Sequence, residues 1–127
     1  MARTAIPITR LVHNDSISNP AGTTIDSTLV TAGAVIVSPP FSSIMVRVNN
    51  TSGADRDVIV RAGIRPIASM GGYGDLTEEV PATSGSELFY LNSSRYAQTN
   101  GDLYIDFESG FTGTIAVIAP PKNGLRD

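Results

Sequence analysis

Three carboxylates fall at even-numbered positions of the run Asp102-Leu-Tyr-Ile-Asp-Phe-Glu108, and an extended chain would set Asp102, Asp106 and Glu108 on one face. A row of acidic oxygens is what a hard cation such as calcium requires. Same-face strand residues, however, stand about 7 Å apart at their α-carbons. No loop dense in oxygen ligands accompanies the row, so a solvated strand face outweighs a cation site. The only histidine, His13, lies in the polar stretch His13-Asn-Asp-Ser-Ile-Ser-Asn19, a setting that suits a solvated loop residue better than a catalytic base. A serine nucleophile elbow needs Gly-x-Ser-x-Gly, which does not occur. The glycine-rich segment Met70-Gly-Gly-Tyr-Gly-Asp75 lacks the Lys-Ser/Thr ending of a phosphate loop and the spacing of a dinucleotide fingerprint. With no cysteine there is no thiol nucleophile, disulfide framework or cysteine-based zinc site. The chain is therefore expected to be no enzyme and to carry no cofactor or metal.

The elements that hold these residues read as strands. In Ser43-Ile-Met-Val-Arg-Val-Asn49, Ile44, Val46 and Val48 share one face while Met45 and Arg47 take the other. Residues 57–62 repeat the pattern, with Val58, Val60 and Ala62 opposite Ile59 and Arg61. The turn formers of residues 49–55 lie between the two runs, which predicts an antiparallel hairpin. A second hairpin is predicted to close the chain, pairing residues 102–107 with residues 114–119 across the turn at 108–113. In its first strand Leu103, Ile105 and Phe107 would point inward. Further strands are expected at residues 5–12, 22–26, 34–37, 76–80, 87–91 and 95–98. No helical stripe stands out. Short strands at close intervals, broken by 12 Gly and 8 Pro, are the pattern of a β-sandwich or barrel.

Hydrophobic residues make up 41% of the 127, enough for the core of one domain and too short a chain for two ordinary ones. A net charge of -3 with scattered charges leaves no clustered basic footprint, so nucleic acid is not expected as a partner. The longest apolar runs fall far below the roughly 18 residues of a membrane helix, and the first residues lack the order of a secretory signal. No membrane partner is expected, and synthesis in the cytoplasm follows.

Residues 1–20 are less regular, and Pro7 and Pro20 confine any strand there to an edge or an extended arm. The division predicted is an N-terminal arm or edge strand over 1–20 and a β-sandwich domain over 21–127. Phe41, after Ser38-Pro-Pro, and Ile67 and Met70 are apolar residues in loops. They either cover the open ends of the sandwich or make contacts in an oligomer.

The order Val46-Arg-Val-Asn-Asn-Thr51, Val58-Ile-Val-Arg-Ala-Gly63, Gly72-Tyr-Gly-Asp-Leu76, Val80-Pro-Ala-Thr83, Ser94-Arg-Tyr-Ala-Gln98 and Asp102-Leu-Tyr-Ile-Asp-Phe107 resembles small virion proteins of tailed bacteriophages. Within that group the chain is similar to head-decoration, or cement, proteins. The resemblance implies an all-β fold, an antiparallel β-sandwich or β-barrel-like (β-tulip type) single domain with an extended N-terminal arm. It also implies a homotrimer on the outer surface of the mature phage head, bridging capsomers, with the major capsid protein and its own copies as partners. Arg3, Ile6, Ile8 and Arg10 are the candidates for capsid contact, by adding an edge strand to a neighbouring sheet. The competing reading makes the same segment the domain's first strand. Phe41, Met70 and Tyr73 are the candidates for contact between subunits. A tail, fibre or connector β-sandwich, including a host glycan-binding module, is the alternative role.

Overall fold

The computed structural model describes residues 3–12, 14–37, 43–61, 75–92, 98 and 101–120. Along them run β1 (Thr4–Ala5), β2 (Ile8–Arg10), β3 (Thr23–Ile25), α1 (Ser27–Ala32), β4 (Ala34–Ile36), β5 (Ser43–Asn50), β6 (Arg56–Val60), β7 (Leu76–Val80), β8 (Gly85–Asn92), β9 (Leu103–Phe107) and β10 (Gly113–Ala119). They form two sheets, one ordered β1-β4-β9-β6-β7 and the other β2-β10-β5-β8. We call them the β9 sheet and the β10 sheet after the strand that centres each. β3 shares with β2 the edge of β10 that faces away from β5. The chain is an all-β sandwich, as expected, but its sheets are mixed. β1 joins β4 in parallel and β2 joins β10 in parallel, while the other pairings are antiparallel.

The core lies between the sheets and follows the two-residue alternation. Ile44, Val46 and Val48 of β5, Ile115 and Val117 of β10, and Leu91 of β8 face Val58 and Val60 of β6 and Leu103 and Ile105 of β9, all of them buried. Removing each such side chain from water contributes about 1.5–3 kcal/mol. Phe107 and Phe111 close one end, their rings tilted at 58° with centroids 5.4 Å apart.

Neither predicted hairpin forms. β5 pairs with β8 and β10, whereas β6 pairs with β7 and β9, so residues 51–55 carry the chain from one sheet to the other. β9 and β10 likewise belong to opposite sheets. Alternation tells which side chains face inward, and a crossing between sheets satisfies it as well as a hairpin does. The crossings have their own chemistry. At 51–55, fully buried Asn50 donates from Nδ2 to the carbonyls of Val80 (2.9 Å) and Ala54 (3.0 Å) and accepts at Oδ1 from the Ser52 amide (2.9 Å) and hydroxyl (2.7 Å). Its amide is thus satisfied on both ends, as burial demands. At the entry to β10, Gly113 sits at φ +143°, and a β-carbon there would overlap the Asn49 carbonyl oxygen. Only glycine permits that approach.

Helix α1 was not anticipated because a helix of 6 residues with one buried side chain, Leu29, has no stripe to read. Its ends are nevertheless written in the sequence. Asp26 accepts the Leu29 N–H at 2.9 Å as N-cap, and Gly33 returns its own N–H to the Leu29 carbonyl as C-cap. The expected strand at 95–98 falls, apart from Gln98, outside the described residues.

Candidate functional site

The N-terminal segment is woven into both sheets. The Thr4 and Ile6 amides bond to the carbonyls of Gly33 and Val35 in the β9 sheet, and the Leu11 amide bonds to Ala119 in the β10 sheet. Ile6 is 4% exposed, which leaves it no surface for a second molecule. Ile8 packs against the core and Arg10 is half-buried. Arg3 reaches over the outer face of the β9 sheet, where its guanidinium meets Asp106 at 2.7 Å and lies 4.3 Å from the centre of the Tyr104 ring. Among the four capsid-contact candidates, Arg3, Ile6 and Ile8 are thus engaged within the fold. Phe41, Met70 and Tyr73, like His13, lie outside the described residues.

That outer face carries an ionic cluster centred on Asp106, with Ile59 as its neighbour in register. Asp106 on β9 accepts from Arg3 at both oxygens, at 2.7 and 3.3 Å, and from Arg61 Nε at 2.5 Å on the second; Arg61 extends to Asp75 at 2.9 Å. Burial pushes the Asp106 carboxyl up, but the hydrogen bonds from Arg3 and Arg61 together outweigh it and hold the group below the ordinary carboxylate range. The hydrogen bonds to Asp106 and Asp75 raise Arg61 in turn. Glu108 accepts the Asp57 amide at 2.9 Å and pairs with Arg56 at 3.1 Å; the amide first, then Arg56, lowers its pKa. The carboxylate row read from the sequence is therefore, at Asp106 and Glu108, committed to arginines. No group of three or more metal-ligating side chains occurs among the described residues.

The outer face of the β10 sheet differs. Register places Ile118 of β10 beside Met45 of β5, and Met45 beside Tyr90 of β8. Leu88, two residues back from Tyr90 on β8, shares its face, and Leu11 joins Met45, Tyr90 and Ile118 around a shallow dimple of ≈ 80 Å³. Tyr90 is 74% and Leu88 64% exposed. The neighbouring half of the same face is covered. There Arg47 bonds to the Asn19 side chain at 2.5 Å and to the Pro20 carbonyl, bringing residues 19–20 down on the sheet. The apolar side chains Leu11, Met45, Leu88, Tyr90 and Ile118 thus form a patch with no carboxylate on it, the kind that marks a contact with another macromolecule. Sequence reasoning placed a strand at 87–91 but missed this patch. The signal was the unbroken run Leu88-Phe-Tyr-Leu91, apolar on both faces of a strand with only one core to face.

No helix among the described residues is long and apolar enough to cross a membrane. Comparisons with protein-family models, with curated proteins and with solved structures found no match.

Proposed function

We propose that this chain is a structural, assembly-forming virion protein: a head-decoration protein that binds the outside of a mature phage head as a homotrimer and holds capsomers together. The motif order in the sequence supports the family. The observation that carries an assembly role is the exposed apolar patch around Leu88 and Tyr90, whose burial against a partner would contribute about 1.5–3 kcal/mol per large side chain. A protein that binds only the assembled shell stabilises it by mass action, and three linked copies add avidity. Contact with the capsid or between copies is assigned to this patch rather than to Ile6, whose side chain is already spent in the core.

A second reading rests on Tyr90, an exposed aromatic ring beside a dimple, which is the arrangement that stacks on a sugar. One experiment separates the two. Purified protein is mixed with expanded, undecorated heads and, in parallel, with host cell-surface glycan. Saturable binding to heads at fixed stoichiometry, with increased resistance of the heads to heat, supports decoration, and Leu88→Ser with Tyr90→Ser should abolish it. Binding to glycan without binding to heads overturns it.

A further inference from the structure

β7 and β8 are the outermost strands of their respective sheets, and each pairs on one side only among the described residues, β7 with β6 and β8 with β5. Residues 81–84 join them, so the edges that stay unpaired among the described residues lie on the same flank of the sandwich. That link is fastened. The Ala82 amide bonds to Asp55 at 2.7 Å and the Thr83 amide to the Ser52 carbonyl at 3.0 Å, while Thr83 and Ser84 hold left-handed φ values of +51° and +69°. Between the strands the sandwich gapes in a groove of ≈ 340 Å³. Leu76, Phe89 and Leu91 supply apolar lining, and Glu78 and Glu87 stand within it; none of its described lining residues is basic. Glu79 and Asp57, paired across β7 and β6, add negative charge on the adjoining outer face.

We propose that this flank is a strand-acceptor site for an extended peptide in which apolar residues alternate with arginine or lysine. An edge strand presents a row of backbone donors and acceptors, and a peptide laid along β8 would extend the β10 sheet by one strand. Alternation then sorts its side chains. The basic set enters the groove, its aliphatic stems over Phe89 and Leu91 and its cationic ends on the carboxylates of Glu78 and Glu87. The other set lies beside Leu88 and Tyr90. The charge of the groove selects against an acidic partner, because a carboxylate placed there would face Glu78 and Glu87 without compensation. The fastened turn keeps the edge formed before the peptide arrives, which lowers the entropy cost of binding. This site shares Leu88 and Tyr90 with the patch of the assembly role proposed above, whereas Glu78 and Glu87 belong to the groove alone, so substituting them tests this site without touching that role.

The test uses the full chain and an eight-residue peptide alternating valine with arginine, against the same peptide with glutamate in place of arginine. Backbone amide shifts and hydrogen exchange are followed by NMR. The arginine peptide should shift and protect amides of residues 85–92, and the glutamate peptide should not. Glu78→Gln with Glu87→Gln should weaken binding by roughly two- to thirtyfold, the range for two exposed ion pairs. A peptide N-methylated at every residue should not bind, since it lacks the amides of the ladder on both of its edges. The proposal is overturned if the arginine peptide leaves β8 unchanged, if both peptides bind equally, or if the N-methylated peptide binds as well as the parent. It is also overturned if the amides of β8 are protected by self-association, seen as protection that grows with protein concentration, since a second copy would then be the occupant.

Discussion

The outer faces of the two sheets are built from the same alternating strands and end in opposite chemistry. On the β9 sheet the outward positions carry Asp106, Arg61 and Tyr104, and Arg3 arrives from the N-terminal segment to pair with them. On the β10 sheet the outward positions carry Met45, Leu88, Tyr90 and Ile118, and the one cation, Arg47, is tied back to residues 19–20. The cluster around Asp106 satisfies its own groups and gains little from a partner. The second face leaves large apolar side chains in water and gains by being covered. A sandwich needs only its inner faces to fold, so outward positions are free to record what the molecule meets.

Substitutions can break this comparison, and the largest effect should ignore it. Ile105, fully buried on the inward side of β9, supports both faces. Ile105→Ala should lower the unfolding free energy by about 2–5 kcal/mol, read from the midpoint of denaturant unfolding. Asp106→Ala attacks the ionic face alone. It leaves Arg3 and Arg61 without their shared carboxylate and should cost about 0.4–2 kcal/mol by the same measurement, with no change in head binding. A cost below that range would show that the bridge is ornamental.

Acid should act on the same face more gently. Asp106 and Glu108 have pKa values depressed in the folded state, so the unfolded chain takes up protons at higher pH than the folded one. Their contribution is complete above the ordinary carboxylate range of about 4 and is lost as pH falls through the lower native values. Thermal unfolding followed from pH 7 downward should show a decline in midpoint that begins below about pH 5, and Asp106→Asn should flatten it. Equal slopes for the two proteins would place the acid sensitivity elsewhere. The smallest effect on stability belongs to the apolar face. Leu88→Ser with Tyr90→Ser should stay within about 0.5 kcal/mol of the parent, yet remove self-association in sedimentation and binding to heads. A large loss of stability would mean that these side chains serve the fold rather than a partner.

What the sequence disclosed follows from what alternation encodes. The inward sets Ile44, Val46, Val48 and Leu103, Ile105, Phe107 were legible because one buried face forces a period of two. Their partners were not, because a strand's pattern is the same whether its neighbour in the chain lies beside it or across the core. The buried Asn50 at the first crossing looked like one more turn former among residues 49–55, since its four hydrogen bonds depend on groups as distant as Val80. Arg3 and Asp106 are separated by 103 residues, and neither type nor spacing links them. The apolar patch was half-written in Leu88-Phe-Tyr-Leu91, but its other members, Leu11, Met45 and Ile118, come from three separate strands or their ends.

β10 follows every other described strand in the chain and stands at the centre of its sheet, bonded to β2, β3 and β5. As the chain leaves the ribosome, the early strands β2 and β3 therefore wait for a neighbour made last, and β5 can pair on one side only. The apolar inner face of this sheet stays uncovered until β10 is in place, and joining β10 to strands as early as β2 and β3 is the kind of long-range pairing that slows folding.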